Sequence, residues 1–247
     1  MDHHYFKPNS LEQAKDMAVG SLDQKQLTMQ KRWEGETPVQ AAAILHHLIP
    51  GPYGAKIVDY GCGAGRVAKE VLAQARRKEI LPIDIYGVDD SPEMLEQARL
   101  YLDHDDCFHP CSPEELPVTG FFDLVYLIYV FQHMPSMGIR DALQRMWTCL
   151  KDDGLLFFCG SENRMALPFD DSGGFVDDRV MGIDRDAELS RFFDFVGPAI
   201  PEGLMNDTMQ RMVSDSWVSP LALWRKKKIE EPLFNVIADK SPIVVKG

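Results

Sequence analysis

The sequence lacks a hydrophobic run long enough for a bilayer. Its longest, Leu124–Phe131, is eight residues, against the roughly 20 that a spanning helix needs. Cysteine is sparse, with five in 247 residues, at positions 62, 107, 111, 149 and 159 and without a Cys-x-x-Cys pair. A disulfide framework and a zinc site are therefore not expected, and free thiols in a reducing cytoplasm are. Met1-Asp2-His3-His4 has no basic region leading into an apolar stretch, so no secretory signal is read there. Basic residues are outnumbered, 26 Lys and Arg against 38 Asp and Glu, for a net charge of −12. A net-acidic surface repels phosphate, which argues against nucleic-acid and anionic-membrane partners. Arg225-Lys226-Lys227-Lys228 is the one basic run, and it reads as a solvated face.

What is present is ordinary globular material: 45% hydrophobic, 10% aromatic and 26% charged residues. A chain of this length buries roughly 70% or more of its unfolded surface, enough for one full core. Residues 1–50 read as a helical amino-terminal cap with three capping-box spacings, Ser10-x-x-Gln13, Ser21-x-x-Gln24 and Thr37-x-x-Gln40. Thr37 followed by Pro38 predicts a helix starting there, carrying the apolar face of Ala41–Ile49 and stopping at Pro50-Gly51-Pro52.

From residue 51 onward strands and helices alternate. Ile57–Tyr60, Ile83–Val88, Phe122–Tyr129 and Gly154–Cys159 read as strands, and Val67–Arg77, Met94–Leu102 and Ile139–Leu150 as helices. That rhythm predicts an α/β fold with a doubly wound, mostly parallel sheet, whose ligands bind at the carboxyl ends of the strands. Residues 160–216 break the rhythm and read as an insertion on the acceptor side. Leu221–Arg225 and Pro232–Ala238 read as a closing antiparallel pair.

The strongest chemical signal is Val58-Asp59-Tyr60-Gly61-Cys62-Gly63-Ala64-Gly65-Arg66, directly after a strand and before a helix. Glycines there permit a tight turn and close approach of a ligand to the main chain. The spacing is G-x-G-x-G, not the dinucleotide G-x-G-x-x-G, and Asp59 would face a pyrophosphate unfavourably. It suits a cationic amine instead. Asp89, 24 residues past the last glycine, is placed to accept hydrogen bonds from both ribose hydroxyls. A nucleoside with an amino-acid tail and no pyrophosphate is S-adenosylmethionine.

Residues 56–160 resemble the class I S-adenosylmethionine-dependent methyltransferases, a Rossmann-like family. The likeness runs through VDYGCGAGR (58–66), GVDDSPEMLEQAR (87–99), CSPEELP (111–117), FDLVYLIYVFQHM (122–134) and LQRMWTCLKDDGLLFF (143–158). It implies a seven-stranded sheet. It also implies that Asp59, Gly61, Gly63 and Gly65 hold the methionine end, that Asp89 holds the ribose, that Met94 walls the adenine slot, and that Cys62 and Arg66 lie among the cofactor-binding residues. Asp90, Ser112, Pro113 and Leu127 fall at other cofactor positions. Ser112 stands where an aspartate is common and Asp90 where an apolar residue is common.

Methyl transfer needs alignment, exclusion of water and, for a protonated nucleophile, a base. His133, just beyond the fourth strand, is the candidate base, its other reading being a packing residue at the start of the next helix. A looser likeness to protein N-terminal α-amine methyltransferases places Asn163 and Arg185 on the acceptor side. Arg32 would pair with the methionine carboxylate and Trp33 would cover the site, or both simply finish a helix. Phe192, Phe193 and Phe195 line an acceptor pocket or pack the lid. A small organic acceptor is the leading expectation. The alternatives are a protein N-terminus or other macromolecule, and a module that binds the cofactor without transferring methyl.

Overall fold

The computed structural model describes residues 24–48, 51, 53–80, 82–117, 119–131, 134, 136–160, 185–207, 209–210 and 222–229. In chain order the elements are α1 (Gln24–His47), β1 (Ala55–Tyr60), α2 (Arg66–Arg77), β2 (Ile83–Val88), α3 (Pro92–Tyr101) and β3 (Phe108–Cys111). There follow β4 (Phe122–Ile128), α4 (Ser136–Cys149), β5 (Leu150–Cys159), α5 (Arg185–Phe192), β6 (Phe193–Pro198) and β7 (Ala222–Lys226). The strands form one seven-stranded sheet, ordered β3-β2-β1-β4-β5-β7-β6. All pairings are parallel except those of β7, which runs antiparallel to β5 and β6. The chain winds outward from β1 through β2 to β3, then returns to β4. The crevice of a doubly wound sheet therefore opens above the carboxyl ends of β1 and β4.

Alternation of side chains divides the core in two. Ile57, Ile85, Leu124, Tyr126 and Phe157 point to the face covered by α1, α2 and α3. Val58, Val88, Val125, Leu127 and Phe158 point to the face covered by α4 and α5. Both faces of the central strands are buried, which is why they read as unbroken apolar runs.

Two expectations are corrected, and a third is decided between its two readings. Thr37 does not start a helix. α1 runs unbroken for 24 residues with Pro38 inside it. An interior proline loses a hydrogen bond and costs roughly 3 kcal/mol. Here the Thr37 hydroxyl donates to the Trp33 carbonyl (2.5 Å) and the Gln74 amide donates to the Pro38 carbonyl (2.8 Å). Burial of Val39, Ala41, Ala43, Ile44 and Leu45 offsets the rest. The starts at Ser10 and Ser21 lie outside the described residues.

The second correction concerns the closing strands. β7 matches the expected Leu221–Arg225, but its outer partner is β6, drawn from the expected insertion; 232–238 lies outside the described residues. Phe193 on β6 and Leu189 on α5 join the second core, which anchors this strand beside Trp224.

The third follows from it. Phe193 is a buried sheet residue, and Phe195 is 59% exposed against Trp224, ring centroids 5.2 Å apart. Phe193 pairs with Lys226, at the end of β7 remote from Ala222, which pairs with Phe158 near the carboxyl end of β5. Neither ring lines an acceptor pocket, and partly buried Phe192 packs on the second core.

Candidate cofactor and acceptor site

The chain leaves β1 and turns through Gly61–Gly65 into α2. The N–H groups of Gly61 and Cys62 both donate to the Val88 carbonyl, at 2.7 and 2.9 Å, so the loop is pinned to the end of β2. Gly61 and Gly63 adopt φ of 75° and 52°, the left-handed region that side chains disfavour. Their surroundings differ. A Cβ on Gly61 would lie 2.4 Å from Val130 Cγ2, whereas a Cβ on Gly63 would meet nothing within 4 Å among the described residues. Gly61 is thus required by protein packing, and Gly63 borders open space at the crevice.

Asp89 is the next piece. Its Oδ2 accepts the Gly63 N–H at 2.9 Å and its Oδ1 accepts the Ser91 N–H at 3.0 Å. Ser91 in turn caps α3 by accepting from the Met94 N–H at 3.2 Å. The carboxylate expected to meet a ribose is therefore oriented by the glycine loop and the start of α3 together.

Asp59 is 4% exposed, and its Oδ2 makes no well-formed hydrogen bond among the described residues. Burial pushes its pKa up to about 7, and nearby Asp89 adds to the rise; the Tyr126 hydroxyl and the Arg66 guanidinium offset part of it. Burial, with Asp89 and Asp59 nearby, also pushes the Cys62 thiol up, so Cys62 is packing and not a nucleophile.

α1 closes the crevice with three side chains. The Arg66 guanidinium donates to the Thr37 hydroxyl and lies 5.2 Å from the centroid of the Trp33 ring. Desolvation disfavours its charge, and Glu36 is the largest opposing influence. Glu36 is fully buried and accepts from the Tyr129 hydroxyl at 2.8 Å. Tyr129, the residue after β4, has a φ of 59° and sits immediately before Val130, which packs on Gly61.

The remaining expected residues scatter around this centre. Met94 is buried in the first turn of α3, and Asp90 is exposed. Ser112 and Pro113 lie beyond β3, where the Ser112 N–H donates to Glu115 and Arg145 donates to the Pro113 carbonyl at 2.6 Å. Leu127 is fully buried within the second core. His133 and Asn163 lie outside the described residues, as do the side chains of Arg32 and Arg185. Glu36, Tyr126 and Tyr129 are site residues that the sequence reading missed. Their only local signal is the tyrosine pair in the apolar run ahead of His133.

Among the described residues no helix is long and apolar enough to cross a membrane, and no His, Cys, Asp and Glu cluster can hold a metal. The residues present fit an S-adenosylmethionine amino end on two observations: the poorly satisfied buried oxygen of Asp59 and the open Cβ direction at Gly63.

Comparison with known proteins agrees. A family model described as a methyltransferase domain matches residues 33–196. A ubiquinone biosynthesis O-methyltransferase from Glaesserella parasuis serovar 5 (strain SH0165) is 25% identical over 136 residues, 51% of this chain and 53% of that protein. The human methyltransferase-like protein 27 is 37% identical over 95 residues, 37% of this chain and 36% of that protein. The chain thus spans about half or less of these relatives' lengths. The N-methyltransferase NodS of Bradyrhizobium japonicum WM9, solved with S-adenosylhomocysteine, aligns at TM-score 0.55 and 14% identity, over 89% of this chain and all of that one. The family match covers more than half of the sequence and the sheet is seven-stranded and mostly parallel, as expected, so the chain belongs to the class I S-adenosylmethionine-dependent methyltransferases.

Proposed function

We propose that this protein transfers a methyl group from S-adenosylmethionine to a small organic acceptor, with His133 receiving the acceptor's proton. The observation that carries the reading is the convergence of Asp59, Gly63 and Asp89 at the carboxyl ends of β1 and β2. When bound, the cofactor supplies a methyl carbon activated by its sulfonium. The chain's part is to bind and orient. Asp59 takes the amino end, Asp89 the ribose, and the cleft beyond β3 with Ser112 and Pro113 takes the adenine. Trp33 lies at the crevice on the Arg66 guanidinium, where it would shield the reacting centre from water. Asn163 and Arg185 would act on the acceptor side. The related O-methyltransferase is named for ubiquinone biosynthesis, and its small-molecule chemistry supports a small acceptor here.

The first test is calorimetric titration with S-adenosylmethionine, S-adenosylhomocysteine and NAD in parallel. Micromolar binding of the two sulfur nucleosides and none of NAD is expected; no binding of either nucleoside would sink the reading. Asp89→Ala should weaken S-adenosylhomocysteine binding by about 1–3 kcal/mol through lost charged hydrogen bonds, and unchanged affinity would remove the ribose assignment. Once a panel of amines, phenols and acids yields an acceptor, His133→Ala should lower turnover at least about a hundredfold while sparing cofactor affinity. An unaltered rate would return His133 to a packing role.

A further inference from the structure

Asp59 and Tyr126 face each other in the parallel register of β1 and β4. Both are buried, Tyr126 completely, and among the described residues neither Asp59 Oδ2 nor the Tyr126 hydroxyl makes a well-formed hydrogen bond, although the two groups influence each other. Two polar atoms so poorly satisfied side by side in a core are costly unless a ligand or a proton completes them. We propose that Tyr126 is a positioning residue that acts through Asp59, and that this pair gives up one proton to solvent when the cationic amino end of the cofactor arrives. The inference rests on the proposed cofactor site.

The charges around Asp59 define the device. Tyr126 reaches it from β4, Arg66 and the Ala68 N–H from α2, Asp89 from the end of β2, and Cys62 from the glycine loop. Arg66 is shared with Glu36 of α1 and with Tyr129. It is therefore only partly available to neutralise Asp59, while Asp89 works against ionisation. Without a ligand the carboxyl holds its proton through mildly acidic pH. An ammonium group placed against Oδ2 stabilises the carboxylate, and the proton leaves to the buffer: carboxyl plus ammonium ligand becomes carboxylate–ammonium pair plus one proton. The Tyr126 hydroxyl favours the carboxylate, so its removal makes ionisation harder.

The test is calorimetric titration of S-adenosylhomocysteine into wild type, Tyr126→Phe and Asp59→Asn between pH 5.5 and 8.5. At each pH it uses two buffers of different ionisation heat. Wild type should release close to one proton per ligand at the acid end, with affinity rising up to about tenfold per pH unit and levelling near neutrality. Tyr126→Phe should move the levelling point to higher pH, an effect that simple loss of packing does not produce. Asp59→Asn should bind weakly, without this pH dependence. Affinity that is flat with pH, with no proton released, would overturn the inference while leaving the cofactor site standing. An unmoved profile in Tyr126→Phe would remove Tyr126 from it. Absence of binding at every pH would instead overturn the cofactor reading beneath it.

Discussion

Arg66→Ala is expected to lower stability by about 3 kcal/mol and to loosen α1 from the site. Arg66 opens α2 directly after the glycine loop, and its guanidinium faces Glu36, Tyr129 and Asp59. It also donates to Thr37 and packs on Trp33. Deleting it removes a positive charge near the fully buried Glu36, which keeps its Tyr129 hydrogen bond. Removing a hydrogen-bonded charged group from a largely buried site costs roughly 1–3 kcal/mol. The upper end applies here, since Arg66 both donates to Thr37 and packs on the Trp33 ring. Replacing Arg66 and Glu36 together by Met should cost less than the two single changes summed, because the attraction between the two charges is then lost once and not twice. Urea unfolding of the four proteins measures this. A single-mutant loss below about 1 kcal/mol would show that the network does not hold α1.

This network also marks the boundary of what the sequence can reveal. The glycine loop and Asp89 were legible because their spacing is local: one strand, one turn and the next strand end. The central strands were legible because burial on both faces leaves continuous apolar runs. β3 was not, since Phe108–Cys111 has four residues and contains Pro110, tolerable because β3 is an edge strand. β6 was hidden in a segment whose periodicity is weak because only Phe193 is buried along most of its length. Glu36 and Tyr129 are 93 residues apart, and their meeting depends on α1 continuing through Pro38, where local propensity says a helix begins. Tertiary burial overrode that propensity, and no pattern within α1 announces it.

The two glycines separate folding from binding. Gly61→Ala should destabilise the protein by about 2–5 kcal/mol. A left-handed alanine costs about 1–2 kcal/mol, and overpacking against Val130 adds about 1–3 kcal/mol. Both Val130 methyls, at 2.4 and 2.8 Å from the added carbon, must move, and Val130 is held by the turn at Tyr129 that ties to Glu36. Gly63→Ala carries only the conformational cost, about 1–2 kcal/mol, because no atom of the described residues lies within 4 Å of its Cβ. That same openness should make its effect on S-adenosylhomocysteine severe, a loss of at least about a hundredfold, or 2.7 kcal/mol. The added methyl would occupy the cradle, and the Gly63 N–H that Asp89 accepts would shift with it. Thermal unfolding and calorimetry on both variants test the split. If Gly63→Ala binds as wild type does, the ligand does not approach the main chain at that loop. If Gly61→Ala unfolds as wild type does, Val130 has room to yield and the loop is set by the ligand alone.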